Sequence, residues 1–218
     1  NTFSYTFFNL IRTYIFQGSI TEGIDKLEEL DSYISNVNSH ICNTAVDLCK
    51  GYVYACLNQY EKIPYWLQIG DMGKAYFFYE GMGFNCIVYG KAVMLSKNYA
   101  KLEMLTESFV EYFSMFSFRL GFIHNGIFKA VAKYHLYGEK EGVLELQDTL
   151  LKAQADNIIM PFAENAAHIM DMLTIIENNN LNNEYIKKVV LCSKKYKISL
   201  DINKIYKQGK KNFFSIFD

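Results

Sequence analysis

The chain has 218 residues, half of them hydrophobic and 16% aromatic, which is enough to build a sizeable core and argues against intrinsic disorder. Only 13 glycines and two prolines punctuate it, too few for the closely spaced turns of a sandwich or barrel. The net charge is −1 and unevenly placed: residues 1–186 carry 13 Lys/Arg against 21 Asp/Glu, and residues 187–218 carry nine Lys against two Asp. The body is therefore a poor partner for nucleic acid, whose binding requires phosphate neutralisation.

In chain order, four segments show a helical period, a turn signal and a second helical period. They are Thr6–Gly18–Asn36, Ala45–Asn58–Gly70, Phe84–Asn98–Phe116 and Asn125–Gly138–Ala155. Aligning the turns makes Ile11, Gly51, Gly90 and Val131 equivalent, at spacings of 40, 39 and 41 residues. Seven positions later come Gly18, Asn58, Lys97 and Gly138, where a first helix should stop. The period predicts an all-α fold: an α-solenoid of antiparallel helix pairs, a tetratricopeptide-like superhelix with about 40 residues per repeat. Gly51 and Gly90, costly inside helices, are expected where a partner helix approaches closely.

Pro64 should open a short helix carrying Trp66, the sole tryptophan, which is expected to be largely buried against the first helix of the third repeat. Gly70-Asp71-Met72-Gly73 reads as a loop. Pro161 should open a helix running through Ile169, Met172, Leu173 and Ile176, ended by Asn178-Asn179-Asn180. Glu184 to Tyr196 would be its partner in a capping pair that starts near residue 158. The domain reading is thus residues 1–200 as one helical-repeat sensor or interaction domain, and 201–218 as a basic, weakly periodic linker.

No residue pattern announces chemistry. Cys42, Cys49 and Cys56 are seven apart, two helical turns, and read as core thiols rather than metal ligands. Five cysteines without Cys-x-x-Cys, and no Asn-x-Ser/Thr, favour free thiols and a cytoplasmic setting. The histidines are scattered. Gly73-Lys74-Ala75 and Gly90-Lys91-Ala92 lack the frame of a phosphate loop. Glu103, Glu107 and Glu111 form a stripe best read as a solvated face. The longest charge-free stretch, Ser32 to Val46, is too short and polar to span a bilayer. The expectation is no enzyme, no metal, no cofactor and no membrane contact.

Several segments resemble the central region of LuxR/MalT-type bacterial transcription regulators. They are Ile63-Pro64-Tyr65-Trp66-Leu67 with Gly70-Asp71, Ile87-Val88-Tyr89-Gly90-Lys91-Ala92 followed by Asn98-Tyr99, Met160-Pro161-Phe162-Ala163-Glu164-Asn165, and Tyr185-Ile186-Lys187-Lys188. The resemblance covers roughly residues 45–196. It implies a superhelical segment that receives an inducer or a partner protein and relays the signal to a C-terminal DNA-binding domain. That domain's helix-turn-helix pattern is absent from this sequence, so DNA binding is not expected of the chain itself. The chain does not begin with Met, which suggests a piece of something longer. A free-standing adaptor that binds a peptide or protein is the alternative.

In a solenoid the first helices line the concave surface. The residue after the Gly51/Gly90 position turns toward that groove, giving Arg12, Tyr52, Lys91 and Ala132; three before that position come Phe8, Leu48, Ile87 and Phe128, and four after it Ile15, Ala55, Met94 and His135. The groove would offer aromatic platforms (Phe8, Tyr52, Phe128) with polar handles (Arg12, Lys91, His135). That lining suits an anionic or sugar-like inducer, or a peptide. On this reading the handles are exposed, so exchanging Arg12 and Lys91 to Glu together should leave the fold intact. The competing reading is that the aromatics are core and the charges merely solvated.

Overall fold

A computed structural model describes residues 2–36, 40–71, 79–115 and 117–214, with side chains over 6–36, 41–71, 83–115 and 117–201. Among the described residues there are only helices. The first pair is α1 (Thr2–Gln17) and α2 (Ile20–Ser35); α3 (His40–Cys56) follows, with a 3-10 turn (Tyr60–Lys62) and the short α4 (Tyr65–Ile69) in place of a full partner. Then come α5 (Tyr79–Leu95) with α6 (Tyr99–Met115), and α7 (Arg119–Tyr137) with α8 (Glu139–Gln154). The chain finishes in α9 (Met160–Glu164), α10 (Ala166–Asn179) and α11 (Glu184–Phe214). Met72 and Gly73 of the expected loop, Lys74 and Ala75 after it, and Phe116 lie outside the described residues.

The turns of the four aligned segments share a positive φ but not one conformation, since Gly138 (φ 105°, ψ 174°) lies outside the left-handed helical region. Gly18, Asn58, Lys97 and Gly138 all have positive φ, at 84°, 56°, 60° and 105°. At two of them the cap closes the same way. Ser19 N–H donates to Tyr14 O at 2.9 Å, and Gln59 N–H donates to Tyr54 O at 2.8 Å, each bond reaching back five residues over the left-handed position. Asn tolerates this region, whereas Lys97 adopts it against the usual side-chain preference. The aligned positions thus agree in the sign of φ at all four turns and in the cap bond at two.

Amphipathicity decides which helices lie outside. α2 buries Ile20, Gly23, Leu27, Leu30 and Ile34 at helical spacing and turns Glu22 and Glu29 outward. α5 has no polar face over its second half: every residue from Asn85 to Met94 is buried. It is enclosed because α3, α4, α6 and α7 all pack on it. α7 is nearly as enclosed, with His124 and Asn125 among its buried residues. The first helices touch in sequence, α1 with α3, α3 with α5 and α5 with α7.

Gly51 and Gly90 mark close approaches in this row. A Cβ on Gly51 would sit 2.6 Å from Leu67 Cδ1 and 2.8 Å from Val88 Cγ1; on Gly90 it would sit 2.4 Å from the Phe128 ring. Both distances are shorter than real Cβ contacts, so Leu67 and Val88, or the Phe128 ring, would have to shift to admit a side chain, which accounts for glycine in an otherwise helical run. Trp66 is 9% exposed, and its indole N–H donates to Asp47 Oδ2 at 2.8 Å.

Two features depart from the sequence reading. The helix expected from Pro161 is broken. α9 ends at Glu164, and Asn165 (φ −108°, ψ 12°) stands between it and α10, its amide donating back to Pro161 O at 2.7 Å. And α11 is one helix to Phe214, across the Lys-rich stretch read as a linker. α11 packs on α9 and α10, and its Tyr196 also touches α1 and α3. The Tyr196 ring meets Phe16 at 6.5 Å, and its hydroxyl donates to Cys56 O at 3.4 Å.

Candidate functional site

The break at Asn165 turns the Glu164 side chain into the middle of the row of first helices. Four of these helices supply its surroundings. Tyr52 from α3 donates its hydroxyl to Glu164 Oε1 at 2.5 Å, and the Cys56 thiol, one turn on, lies 3.6 Å from Oε2. Lys91 Nζ from α5 is 3.5 Å from Oε2 and donates to Asn165 Oδ1 at 3.0 Å. His124 Nε2 from α7 is 3.8 Å from Oε2, and the Arg12 guanidinium from α1 is 3.8 Å from Oε1. The Glu164 and His124 side chains are fully buried, Lys91 is 1% exposed, and the Arg12 side chain is 18% exposed.

Arg12 is ringed by aromatics. Its guanidinium carbon stands 5.1–5.7 Å from the ring centroids of Tyr52, Phe16, Phe8 and Phe84. Each is within range of a cation–π attraction. The rings also hold one another edge to face, Phe8 against Tyr52 at 5.2 Å and against Phe84 at 5.4 Å.

Burial and the two cations set the protonation states. Burial, reinforced by Lys91 and Arg12, pushes the His124 imidazole well below its usual range, so the ring is neutral at pH 7. Neither of its nitrogens has a hydrogen-bond partner. Burial first and Glu164 second raise Tyr52 well above the ordinary phenol range, so it stays a donor. Burial pushes the Cys56 thiol up to about 12, which leaves it protonated and a poor nucleophile. Arg12 loses charge stability to burial but more than regains it from Tyr52 and Glu164, and its pKa is raised.

A pH dependence of stability follows. His124 titrates near 6.5 when unfolded and far lower when folded, so below that value the unfolded chain binds the extra proton. Stability is full above about pH 6.5 and declines as pH falls, by up to about 1.4 kcal/mol per pH unit per such group. His168, lowered by burial to about 4, adds to the same slope. Urea midpoints measured from pH 7 to pH 5 should fall, and His124→Gln should flatten the fall. A slope unchanged in that variant would mean that His124 is protonated in the folded chain.

Of the six residues placed in a groove by the sequence, four come together: Phe8, Arg12, Tyr52 and Lys91. Phe128 is buried on α7, its ring against Gly90 and 6.1 Å from His124, with no bond to Glu164 among those described. His135 is elsewhere. It is exposed near the end of α7 and stacks on Tyr99 at 3.9 Å. Leu48, Ile87, Ile15, Ala55, Met94 and Ala132 are all core.

The open groove is thus corrected in one respect: its centre is occupied by the chain's own Glu164, Asn165 and Tyr196. Lys91 is not an exposed handle, and exchanging Arg12 and Lys91 to Glu would place three carboxylates together in a buried space, so the expectation of an intact fold does not survive. Glu164, Asn165 and His124 were not singled out for this role by sequence. Asn after Glu in a helical run, next to a Pro-opened turn, is the one local signal that a break could have been placed there.

The remaining candidates are plain. Cys49 and Cys56 are buried and Cys42 half-buried, all as free thiols. Glu103 accepts a bond from the Tyr137 hydroxyl at 2.7 Å, while Glu107 and Glu111 face solvent. Among the described residues no group of three or more His, Cys, Asp or Glu could hold a metal, and no helix is long and apolar enough to cross a membrane. The chain matches no protein-family model, no curated protein and no solved structure.

Proposed function

We propose that this chain is the signal-receiving segment of a LuxR/MalT-type bacterial transcription regulator: a cytoplasmic, tetratricopeptide-like solenoid that binds an inducer or a protein partner and relays the event to a DNA-binding domain outside these residues. The observation that carries the reading is the convergence of α1, α3, α5 and α7 on one charged centre. Each first helix contributes a side chain to it, Arg12, Tyr52, Lys91 and His124 in turn. A central polar cluster shared by all pairs is a means of making their relative placement respond to one bound molecule, since a ligand moves an equilibrium only through contacts that differ between states. The recurrence of positive-φ turn residues at 39–41-residue spacing supports the solenoid.

The test is to read the complete open reading frame that contains these residues, and to place its product beside a promoter reporter. A helix-turn-helix domain downstream, with reporter output altered by Arg12→Gln, is the expected result. A reading frame without a DNA-binding domain would overturn the regulator and leave the free-standing adaptor.

A further inference from the structure

α11 has one buried face, and that face ends at Leu200. Tyr185, Val189, Ser193, Tyr196 and Leu200 recur at helical spacing and are all buried. The positions that continue the same line are Lys204, Lys207 and Lys211. Past Leu200 this face cannot pack on an apolar core without burying charge, which is costly. The apolar residues change sides there. Ile202, Ile205, Tyr206 and Phe213 fall within about 100° of arc, about half a turn from the buried line, at 3.6 residues per turn.

The second face is apolar inside the described part of the helix as well. Leu191 and Ile198 lie on it, and they are 53% and 58% exposed. One stripe therefore runs from Leu191 to Phe213, about 33 Å at a rise of 1.5 Å per residue. Lysines surround it. Lys188 and Lys195, both exposed, share the face with Leu191 and Ile198, and the later lysines take the polar side. Residues 187–214 hold nine lysines against one acid, Asp201. Glu184 and Glu177 pair with Lys187 and Lys194, which still leaves six positive charges in excess.

We propose that this face of α11 binds the surface of an anionic lipid bilayer, the helix lying in the interface with its apolar stripe toward the acyl chains. The stripe and the lysines make two separate demands. Nucleic acid would satisfy the lysines and leave the stripe in water. An uncharged protein groove would cover the stripe and leave the lysines without a purpose. A bilayer with anionic headgroups answers both, since binding of such helices scales with buried apolar area plus attraction to anionic lipid. Lysines on the stripe face can run their stems past apolar neighbours and keep the ammonium groups at headgroup level. Lying on a bilayer is a weaker demand than crossing one. The sequence expectation of no membrane contact rested on the lack of a spanning stretch, and the proposal revises it.

The 218-residue chain itself is the test material. It is floated with vesicles of phosphatidylcholine alone and with vesicles of three parts phosphatidylcholine to one part phosphatidylglycerol, at low and high salt. Binding is expected to the anionic vesicles only, and salt should weaken it. Changing Lys204, Lys207, Lys210 and Lys211 together to Gln should weaken it at least about hundredfold. Leu191→Ser with Ile198→Ser should weaken it at least about tenfold. Both residues are more than half exposed, so the urea midpoint of that pair should match the parent. A DNA duplex titrated at the same salt should bind more weakly and ignore the serine pair.

Four results would overturn the proposal: no binding to either vesicle, equal binding to both, a variant that binds as the parent does, or DNA bound more tightly than anionic lipid. The last would make α11 a nucleic-acid surface. None of them touches the regulator reading, which stands or falls on the reading frame.

Discussion

Glu164→Gln is expected to lower the unfolding free energy by about 3–5 kcal/mol, the usual cost of removing one partner from a buried ion pair. The glutamine keeps an acceptor for the Tyr52 hydroxyl but removes the only carboxylate within 4 Å of Lys91 and Arg12 among the described residues. Against a total stability of about 5–15 kcal/mol, that is a large fraction. Adding Lys91→Met to Glu164→Gln should restore a good part of the loss, because the stranded charge goes with it. Urea midpoints of the parent, both single variants and the double variant measure the coupling. Losses that simply add would show that Glu164 and Lys91 do not interact.

Trp66→Ala carries the second large effect, again about 3–5 kcal/mol for emptying a buried tryptophan site. The indole is 9% exposed on a five-residue helix that cannot stand alone, held by Pro64 at its start and by Gly70 in the left-handed region at its end. Removing it also strips Asp47 of the indole N–H bond at 2.8 Å. Trp66→Phe should keep most of the apolar contact and lose only the bond, about 1 kcal/mol. Thermal unfolding of the two variants separates the contributions. An alanine variant that melts with the parent would take Trp66 out of the core.

The pairing of helices was legible because its signals are local. Apolar spacing sets each helix, and Gly18, Asn58, Lys97 and Gly138 end the first helix of each segment, so chain order alone gives three full helix pairs and one interrupted pair. Pro64 likewise announces the interrupted partner of α3, since a proline disfavours helix in the residue before it and Ile63 is extended. The groove residues were legible to a degree for the same reason: equivalent positions on equivalent helices face one direction, and Arg12, Tyr52 and Lys91 do meet.

What fills the space they face was not legible. Glu164 stands 112 residues from Tyr52 in the chain, and no period links them. Its inward turn depends on a one-residue break at Asn165 that is held by bonds to Pro161 O and Lys91 Nζ, the second of which exists only in the folded array. Lys91 misleads for a related reason. A lysine in a helix reads as solvent-facing until its helix proves to be enclosed on every side, and that depends on how many neighbours pack there. His135 was misplaced because it falls at the end of α7, where the residues from His135 to Tyr137 are exposed.

The return of α11 bears on how the chain reaches its native state. A linear stack whose units touch only their neighbours can fray from either end and reform piecemeal. Here the Tyr196 hydroxyl bonds to a carbonyl 140 residues earlier, and its ring sits on Phe16. Those contacts close a loop that embraces most of the polypeptide. High sequence separation between contacting residues slows folding. The same contacts tie the first helix to the last, so that loosening one end withdraws support from the other. Unfolding should then be a single cooperative event rather than an unravelling, and truncation before Tyr196 should cost the amide-exchange protection of α1 as well as that of α11.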